Sequence, residues 1–331
     1  ELGVTRKELQ SGKVRLPAYR AFYLDYLLKE STGVTYYRDQ MLKAMVRSVK
    51  SVEDSDFTAP ERLRGVLREY QRIGYVWLRT LDSYGFGGIL ADDMGLGKTI
   101  QIIALLEDAY GSGEQSPSLI ICPASLVYNW EHEIRRFAPD LKVLSVVGSS
   151  SEREVLLNEV GRNPQDYQVI VTSYDLLRRD VGLYEAIHFR YQVIDEAQYI
   201  KNASTQSARA VKSLDVQTRF ALTGTPVENR LGELWSIFDY LMPGFLYGYD
   251  TFRREFEIPV VKNNDQEAME RLQRMVGPFI LRRLKQDVLR DLPEKTEEVR
   301  YVQMTGKQRK LYDGQAIHLR SLLDHQSEEE F

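Results

Sequence analysis

Gly88-Ile-Leu-Ala-Asp-Asp-Met-Gly-Leu-Gly-Lys-Thr99 opens as a short apolar strand and breaks into a glycine-rich turn that ends in Lys98 and Thr99. A tight turn lined with backbone N–H groups at the start of a helix makes a nest for an anion. A lysine there adds a point charge for β- and γ-phosphates, and the threonine hydroxyl can hold Mg²⁺. Gly95 and Gly97 supply the permissive backbone that such a turn needs. The strict phosphate-loop pattern begins with glycine, whereas this chain has Asp92, so the turn requires support from elsewhere.

That support lies in Tyr191-Gln-Val-Ile-Asp-Glu-Ala-Gln198, an apolar run that ends abruptly in adjacent carboxylates. A strand tip would present them together. Asp195 is expected to serve the metal, and Glu196 to polarise the water that attacks the γ-phosphate. An Asp-Glu pair alone is common on solvated turns. Placed after a strand and downstream of a phosphate loop, it supplies the other half of one chemistry.

The chain has 331 residues, 43% hydrophobic and 28% charged, an ordinary globular composition with ample core. Its net charge of −4 confines any nucleic-acid surface to a local patch. No apolar stretch approaches the length of a membrane span, and no secretory leader pattern opens the chain, so it is expected to work inside cells. The single cysteine, Cys122, excludes an internal disulfide and a cysteine-based zinc site. Within Leu-Ile-Ile-Cys it reads as a buried strand residue.

Residues 1–60 read as a small helical accessory segment, with patterns around Tyr19 to Leu28 and on Leu42, Met45, Val46 and Val49. Ser51 to Ala59 reads as a polar linker, which places a boundary near Pro60. A main domain is expected over 61–300. Apolar, β-branched runs at Gly88 to Ala91, Leu119 to Cys122, Val143 to Val147, Val169 to Thr172, Val193 to Ile194 and Phe220 to Leu222 alternate with amphipathic helices. This pattern predicts an α/β fold with a mostly parallel central sheet. In such sheets ligands sit beyond the carboxyl ends of the strands, so the glycine turn, Asp195 and Thr223 are expected to converge. Gly111 to Ser118 reads as a mobile surface loop. Residues 245–276 lose the strand alternation and predict a helical insertion standing away from the sheet. Phe279-Ile-Leu-Arg-Arg283 reads as a returning strand, and 301–331 as a linker or the start of another lobe.

Over roughly Leu67 to Tyr312 these residues resemble the Swi/Snf-type DNA translocases of helicase superfamily two. The matching segments occur in the family's order. They are Leu67-Arg-Glu-Tyr-Gln71 with Trp77, Ala91 to Thr99, Cys122-Pro-Ala-Ser-Leu126 with Trp130, and Val171-Thr-Ser-Tyr174. Further on come Asp195-Glu-Ala-Gln198 with Ile200-Lys-Asn202, Leu222-Thr-Gly-Thr-Pro226 with Asn229, and Phe279 to Arg283 with Leu292-Pro-Glu-Lys295. The family also carries aspartate at the position of Asp92.

The resemblance implies a RecA-like P-loop lobe that binds ATP and Mg²⁺. In it Gln71 reads the adenine, and Asp92, Asp93, Met94, Gly95, Leu96, Gly97, Lys98 and Thr99 form the phosphate loop. Thr99 and Asp195 hold the metal, Glu196 serves the water, and Gln198, Thr223 and Thr225 couple nucleotide state to movement. Ser125, Thr172, Ser173, Lys201, Asn202 and Asn229 are implied to track the backbone of duplex DNA, by shape and not by sequence. The arginine pairs Arg178-Arg179, Arg253-Arg254 and Arg282-Arg283 read individually as solvated or salt-bridged. Gln198 stands where many relatives have histidine, and Asp93 replaces a more usual glutamate.

The implied activity is ATP hydrolysis coupled to movement on duplex DNA, with a DNA-bound protein as a further partner. A strand-separating DNA or RNA helicase, and a nucleotide-gated binding module without essential hydrolysis, remain alternatives. The family needs a second RecA-like lobe that contributes arginines across the cleft, and these residues are expected to stop short of it and to be weakly active alone. The expected location is the bacterial cytoplasm, on the nucleoid, or the nucleus of a eukaryotic host.

Overall fold

The computed structural model describes residues 16–30, 35, 37–50, 55–224, 230–288, 301 and 303–329. Its centre is a seven-stranded sheet ordered β3-β4-β2-β5-β6-β1-β7. The strands are β1 Gly88–Leu90, β2 Ser118–Cys122, β3 Val143–Ser145, β4 Val169–Ser173, β5 Phe189–Ile194, β6 Val216–Leu222 and β7 Ile280–Leu281. Every pairing is parallel. Parallel strands need helical crossovers that cover both faces, which is why β1, β2 and β4 are buried along their whole length and read as continuous apolar runs.

The strands β5 and β6 are longer than their apolar runs because they carry polar residues with local partners. Gln192 is fully buried, donates to the Val211 carbonyl at 3.0 Å and accepts from Arg219 at 3.2 Å. A buried amide satisfied on both sides is no obstacle to a central strand. The turn after helix Lys98–Gly111 is tied down: the Tyr110 hydroxyl donates to the Ser116 carbonyl at 2.9 Å, and Ser118 already belongs to β2.

The helices Arg20–Glu30 and Gln40–Lys50 share the core of the lobe. Phe22 meets Phe279 and Phe86 edge to face, with ring centroids 5.4 and 5.8 Å apart. Met45, Val46 and Val49 are buried, and the Tyr75 hydroxyl donates to the Thr58 carbonyl just before Pro60. Packing is therefore continuous across the position where the sequence suggests a boundary.

The helical region around 249–276 does not stand away from the sheet as expected. Phe252, Phe256, Leu272 and Met275 are buried in the common core. Their apolar positions are divided among helix Tyr249–Phe252, a π-turn at Arg253–Glu257, helix Ile258–Asn263 and helix Gln266–Val276. No single 3.6-residue stripe runs through pieces this short, so the core face is hidden from periodicity.

A second compact unit begins at Leu289. Its described part is the helix Gly306–Glu329, in which Leu311, Ile317 and Leu319 are exposed. Among the described residues no helix is long and apolar enough to cross a membrane.

Candidate functional site

The turn after β1 leaves the sheet between two neighbours. The Ala91 N–H donates to the Leu281 carbonyl at 2.7 Å, and the Thr223 N–H donates to the Leu90 carbonyl at 3.2 Å. Gly95 and Gly97 have φ of +86° and +76°, a region that costs a side-chain-bearing residue. At Gly97 space adds a second reason, since a Cβ would lie 2.5 Å from Nε2 of Gln71. Helix Lys98–Gly111 then starts at the pair singled out above.

Gln71 is buried beside this turn. Its Oε1 accepts from the Arg68 N–H at 2.9 Å, and its Nε2 donates to the Leu96 carbonyl at 3.0 Å. The residue thus joins the start of helix Glu69–Ser83 to the phosphate-loop backbone. Lys98 Nζ donates to the Asp92 carbonyl at 2.8 Å, and Lys98 and Thr99 are both half-buried. Met94 and Gly95 are exposed at the tip, while Leu96 is buried.

Two aspartates of the turn have structural partners. Asp92 is fully buried, and its carboxylate is taken by Arg283 and Gln101, so its place in the phosphate loop is not that of a side chain offered to a ligand. What Asp92 offers the turn is its backbone carbonyl. The Asp93 carboxylate accepts the Lys285 N–H at 2.9 Å.

The strand β5 delivers Asp195 and Glu196. The Asp195 N–H donates to the Ile121 carbonyl at 2.8 Å. Its carboxylate accepts the Trp130 indole N–H and the Glu196 N–H, each at 2.9 Å, and its carbonyl accepts the Tyr174 hydroxyl at 2.8 Å. Burial holds the Asp195 carboxyl above the ordinary carboxylate range. The indole N–H pulls it back, the charge of Glu196 adds to the rise and that of Lys98 opposes it.

Glu196 has φ of +53°, an uncommon conformation for a residue with a side chain, and it turns the chain sharply out of the strand. Gln198 Nε2 donates to Glu196 Oε2 at 2.8 Å, and the Thr223 hydroxyl donates to Gln198 Oε1 at 3.2 Å. An amide can donate on one side and accept on the other without choosing a tautomer, so Gln198 links the acid to the end of β6 without titrating. Thr225 lies outside the described residues.

Sheet register brings these pieces to one edge. Leu90 is level with Leu222, Ala221 with Ile194, and Ile194 with Ile121. The turns that follow β1, β6, β5 and β2 therefore leave the same carboxyl edge side by side, and the charge of Lys98 reaches Asp195. Cys122 also lies here, buried, with its thiol pushed up to about 12 by burial and by the charge of Asp195, and so has no nucleophilic role.

The sequence matches a family profile described as SNF2-related domain over residues 70–330, and one described as bacterial SNF2 helicase associated over residues 1–60. The chain belongs to the SNF2-related family. It forms the N-terminal RecA-like lobe of a Swi/Snf-type protein of helicase superfamily two. It is 38% identical over 301 residues to the uncharacterized ATP-dependent helicase MG018 of Mycoplasma genitalium, covering 91% of this chain and 28% of that protein. It is 40% identical over 279 residues to the TATA-binding protein-associated factor MOT1 of Saccharomyces cerevisiae, covering 77% of this chain and 15% of that one. The SWI2/SNF2 ATPase core of Sulfolobus solfataricus in complex with dsDNA superimposes with a TM-score of 0.62 at 42% identity, over 78% of this chain and 53% of that chain.

The side chains of this SNF2-related lobe implied to track DNA divide into two groups. Ser125, Lys201 and Asn202 are exposed. Asn202 caps its own turn by accepting from Ser204, and Lys201 lies 3.9 Å from Glu233. Both line a groove of about 710 Å³ together with Ser204, Arg230, Trp235 and Tyr249. Thr172 and Ser173, in contrast, are buried. The Thr172 hydroxyl donates to the Val146 carbonyl at 3.2 Å, and Ser173 accepts the Leu176 N–H as the cap of helix Tyr174–Tyr184. Neither side chain is offered to a ligand, because β4 stays buried to its last residue. Asn229 lies outside the described residues.

Arg283 is salt-bridged, as one of the two expected outcomes, but the sequence does not name its partner Asp92, nor Gln101, nor the hydrogen bonds of Trp130 and Tyr174 to Asp195. One signal was available for Arg283. An acid at the buried start of a phosphate loop demands a cation, and the arginine pair after the returning strand supplies it.

Proposed function

We propose that this lobe binds ATP at the carboxyl edge of its sheet and is half of an ATP-hydrolysing motor that moves on duplex DNA and remodels protein–DNA complexes. The observation that carries this reading is the shared sheet edge of the Lys98–Thr99 turn and the Asp195–Glu196 pair. The N-terminus of helix Lys98–Gly111 and the Lys98 ammonium would receive the β- and γ-phosphates. Gln71, whose amide is bonded to Arg68 and to the loop at Leu96, would read the adenine by exchanging one of those hydrogen bonds.

The residues present fit a magnesium ion. The Asp195 carboxyl is half-buried and desolvation holds its pKa above the ordinary carboxylate range, which a cation would relieve. An ion of this kind takes its remaining ligands from phosphate and water. Thr99 and Asp195 would hold it. Bound Mg²⁺ would offset charge on the phosphates during transfer.

Hydrolysis then follows from the chain's own groups. Glu196, fixed by its backbone turn and by Gln198, orients a water and draws on its proton as the water oxygen bonds to the γ-phosphorus. The bond from that phosphorus to the β–γ bridging oxygen breaks, and the electron pair leaves with ADP. Charge on the transferring group would be met by arginines of a second lobe across the cleft, so turnover by this lobe acting alone would be slow.

The exposed Ser125, Lys201 and Asn202 and the groove beside them supply hydroxyl, amide and cationic groups suited to a phosphate backbone. The test is steady-state ATP hydrolysis, with and without duplex DNA, by this chain and by the protein containing both lobes. The expected result is DNA-stimulated turnover by the two-lobe protein and little by this chain. Robust DNA-stimulated turnover by this chain alone would contradict the need for a second lobe, and none by the two-lobe protein would contradict the motor reading.

A further inference from the structure

A single guanidinium ties together three parts of the nucleotide pocket from a position 182 to 213 residues further along the chain. Arg283 Nε donates to Asp92 Oδ1 at 2.8 Å, and its Nη2 donates to Asp92 Oδ2 and, at 2.8 Å, to Gln101 Oε1. Its Nη1 donates to the Tyr70 carbonyl, next to Gln71, and the guanidinium lies 5.3 Å from the Tyr70 ring centroid. Gln101 completes the cluster by donating to Asp92 Oδ2 and to the Gly97 carbonyl, each at 3.1 Å.

The cluster is closely built. The Asp92 side chain is fully buried and that of Arg283 is 12% exposed. A Cβ on Gly74 would lie 1.7 Å from Gln101 Oε1 and 2.8 Å from Arg283 Nη2, so helix Glu69–Ser83 leaves out a side chain there to admit them. The contacts also run on along the chain. The Asp93 N–H donates to the Arg283 carbonyl at 3.0 Å, the Lys285 N–H donates to Asp93, and Lys285 Nζ lies 3.4 Å from where a Cβ on Gly95 would sit. The segment 281–285 is thus laced to the turn 91–95 on its way out of the sheet.

We propose that Arg283 is a positioning residue for the nucleotide, resting on the ATP reading above. Its fork holds the adenine-side turn, the first residue of the phosphate loop and the helix behind it as one body. Asp92 stands in place of glycine because it is the anion that this fork grips. Since Lys98 rests on the Asp92 carbonyl, the grip also sets where the phosphate-binding ammonium waits. Through the lacing at 281–285, occupancy of the pocket is passed to the segment that leaves the lobe.

Lysine at 283 keeps the charge but cannot present a planar fork to a carboxylate, an amide and a carbonyl at once. Two variants of the 331-residue chain test the proposal: Arg283→Lys, and the double Asp92→Asn with Arg283→Met, which removes both buried charges and so avoids leaving one unpaired. The readouts are thermal midpoint, affinity for Mg·ADP and Mg·ATP by titration with a fluorescent analogue, and nucleotide-dependent hydrogen-exchange protection over 280–288.

Both variants are expected to lose nucleotide affinity by about tenfold or more, in the manner of supporting hydrogen bonds around a site. They are also expected to lose the nucleotide-dependent protection of 280–288. Should Arg283→Lys not fold, the double variant is read alone by the same criteria. Shifts in thermal midpoint with affinity within about twofold of the parent and protection intact would show a merely structural clasp and overturn the proposal. A parent chain that binds neither nucleotide would overturn the ATP reading itself, and this inference with it.

Discussion

Replacing Glu196 by glutamine is expected to lower DNA-stimulated ATP turnover of the two-lobe protein by roughly 10²–10⁴-fold, the usual contribution of a positioned general base. Binding of Mg·ATP should remain within a few fold. The geometry makes this variant informative. Glu196 owes its placement to a left-handed backbone turn and to the Gln198 amide, which donates to Oε2 at 2.8 Å. A glutamine oxygen can accept that same hydrogen bond, so the position survives while the basicity is lost. Stopped-flow release of phosphate and equilibrium titration of nucleotide separate the two effects. If remodelling by the intact protein survives the change, hydrolysis is not essential and the nucleotide-gated module becomes the better account.

The largest expected loss of stability comes from the opposite end of the sheet. Asp82 closes helix Glu69–Ser83, and its buried carboxylate takes Arg79 at 2.8 Å, Arg190 at 2.5 Å, the Tyr191 hydroxyl at 2.8 Å and the Thr218 hydroxyl at 3.0 Å. One side chain thereby joins a helix to the early residues of both β5 and β6. Asp82→Ala leaves these donors facing each other without their shared acceptor, which costs about 3–5 kcal/mol for a broken buried pair. The lower end is expected, because Arg79 keeps Asp108 and Arg190 keeps Glu114. Urea unfolding should show a lower midpoint at an unchanged slope, with nucleotide affinity intact because the phosphate loop leaves the other edge. A loss below about 1 kcal/mol would mean that the arginines and hydroxyls find water or other acceptors.

The parts of this lobe that were legible in its sequence are those in which one residue type admits few physical explanations. Lys98 and Thr99 after a strand and a glycine turn, and Asp195 with Glu196 at the end of another strand, each specify a strand tip, and parallel register then sets the tips side by side. The core at 249–276 was not legible, because its buried residues, Phe252, Phe256, Leu272 and Met275, fall on separate short helical pieces and obey no common period. Thr172 and Ser173 misled for a related reason. Hydroxyls after an apolar run look available, yet in a sheet covered on both faces the last strand residues stay buried and spend their hydrogen bonds locally.

Asp92 shows what sequence reading leaves out. As a motif letter it is only a departure from glycine; as a buried anion it requires Arg283, 191 residues away. A buried acid signals that some cation must meet it, but which one is decided only when the strand β7 is seen beside β1.

The account stands on a common pocket for the glycine turn and the tandem acids. Its most direct test is a crystal structure of this chain with ADP and Mn²⁺, the metal located by its anomalous signal. The account predicts the β-phosphate against the backbone amides of residues 95–99 with Lys98 turned onto it, and the manganese between the Thr99 hydroxyl and the Asp195 carboxylate. Nucleotide or metal bound elsewhere on the molecule, with Lys98 still on the Asp92 carbonyl, would contradict it.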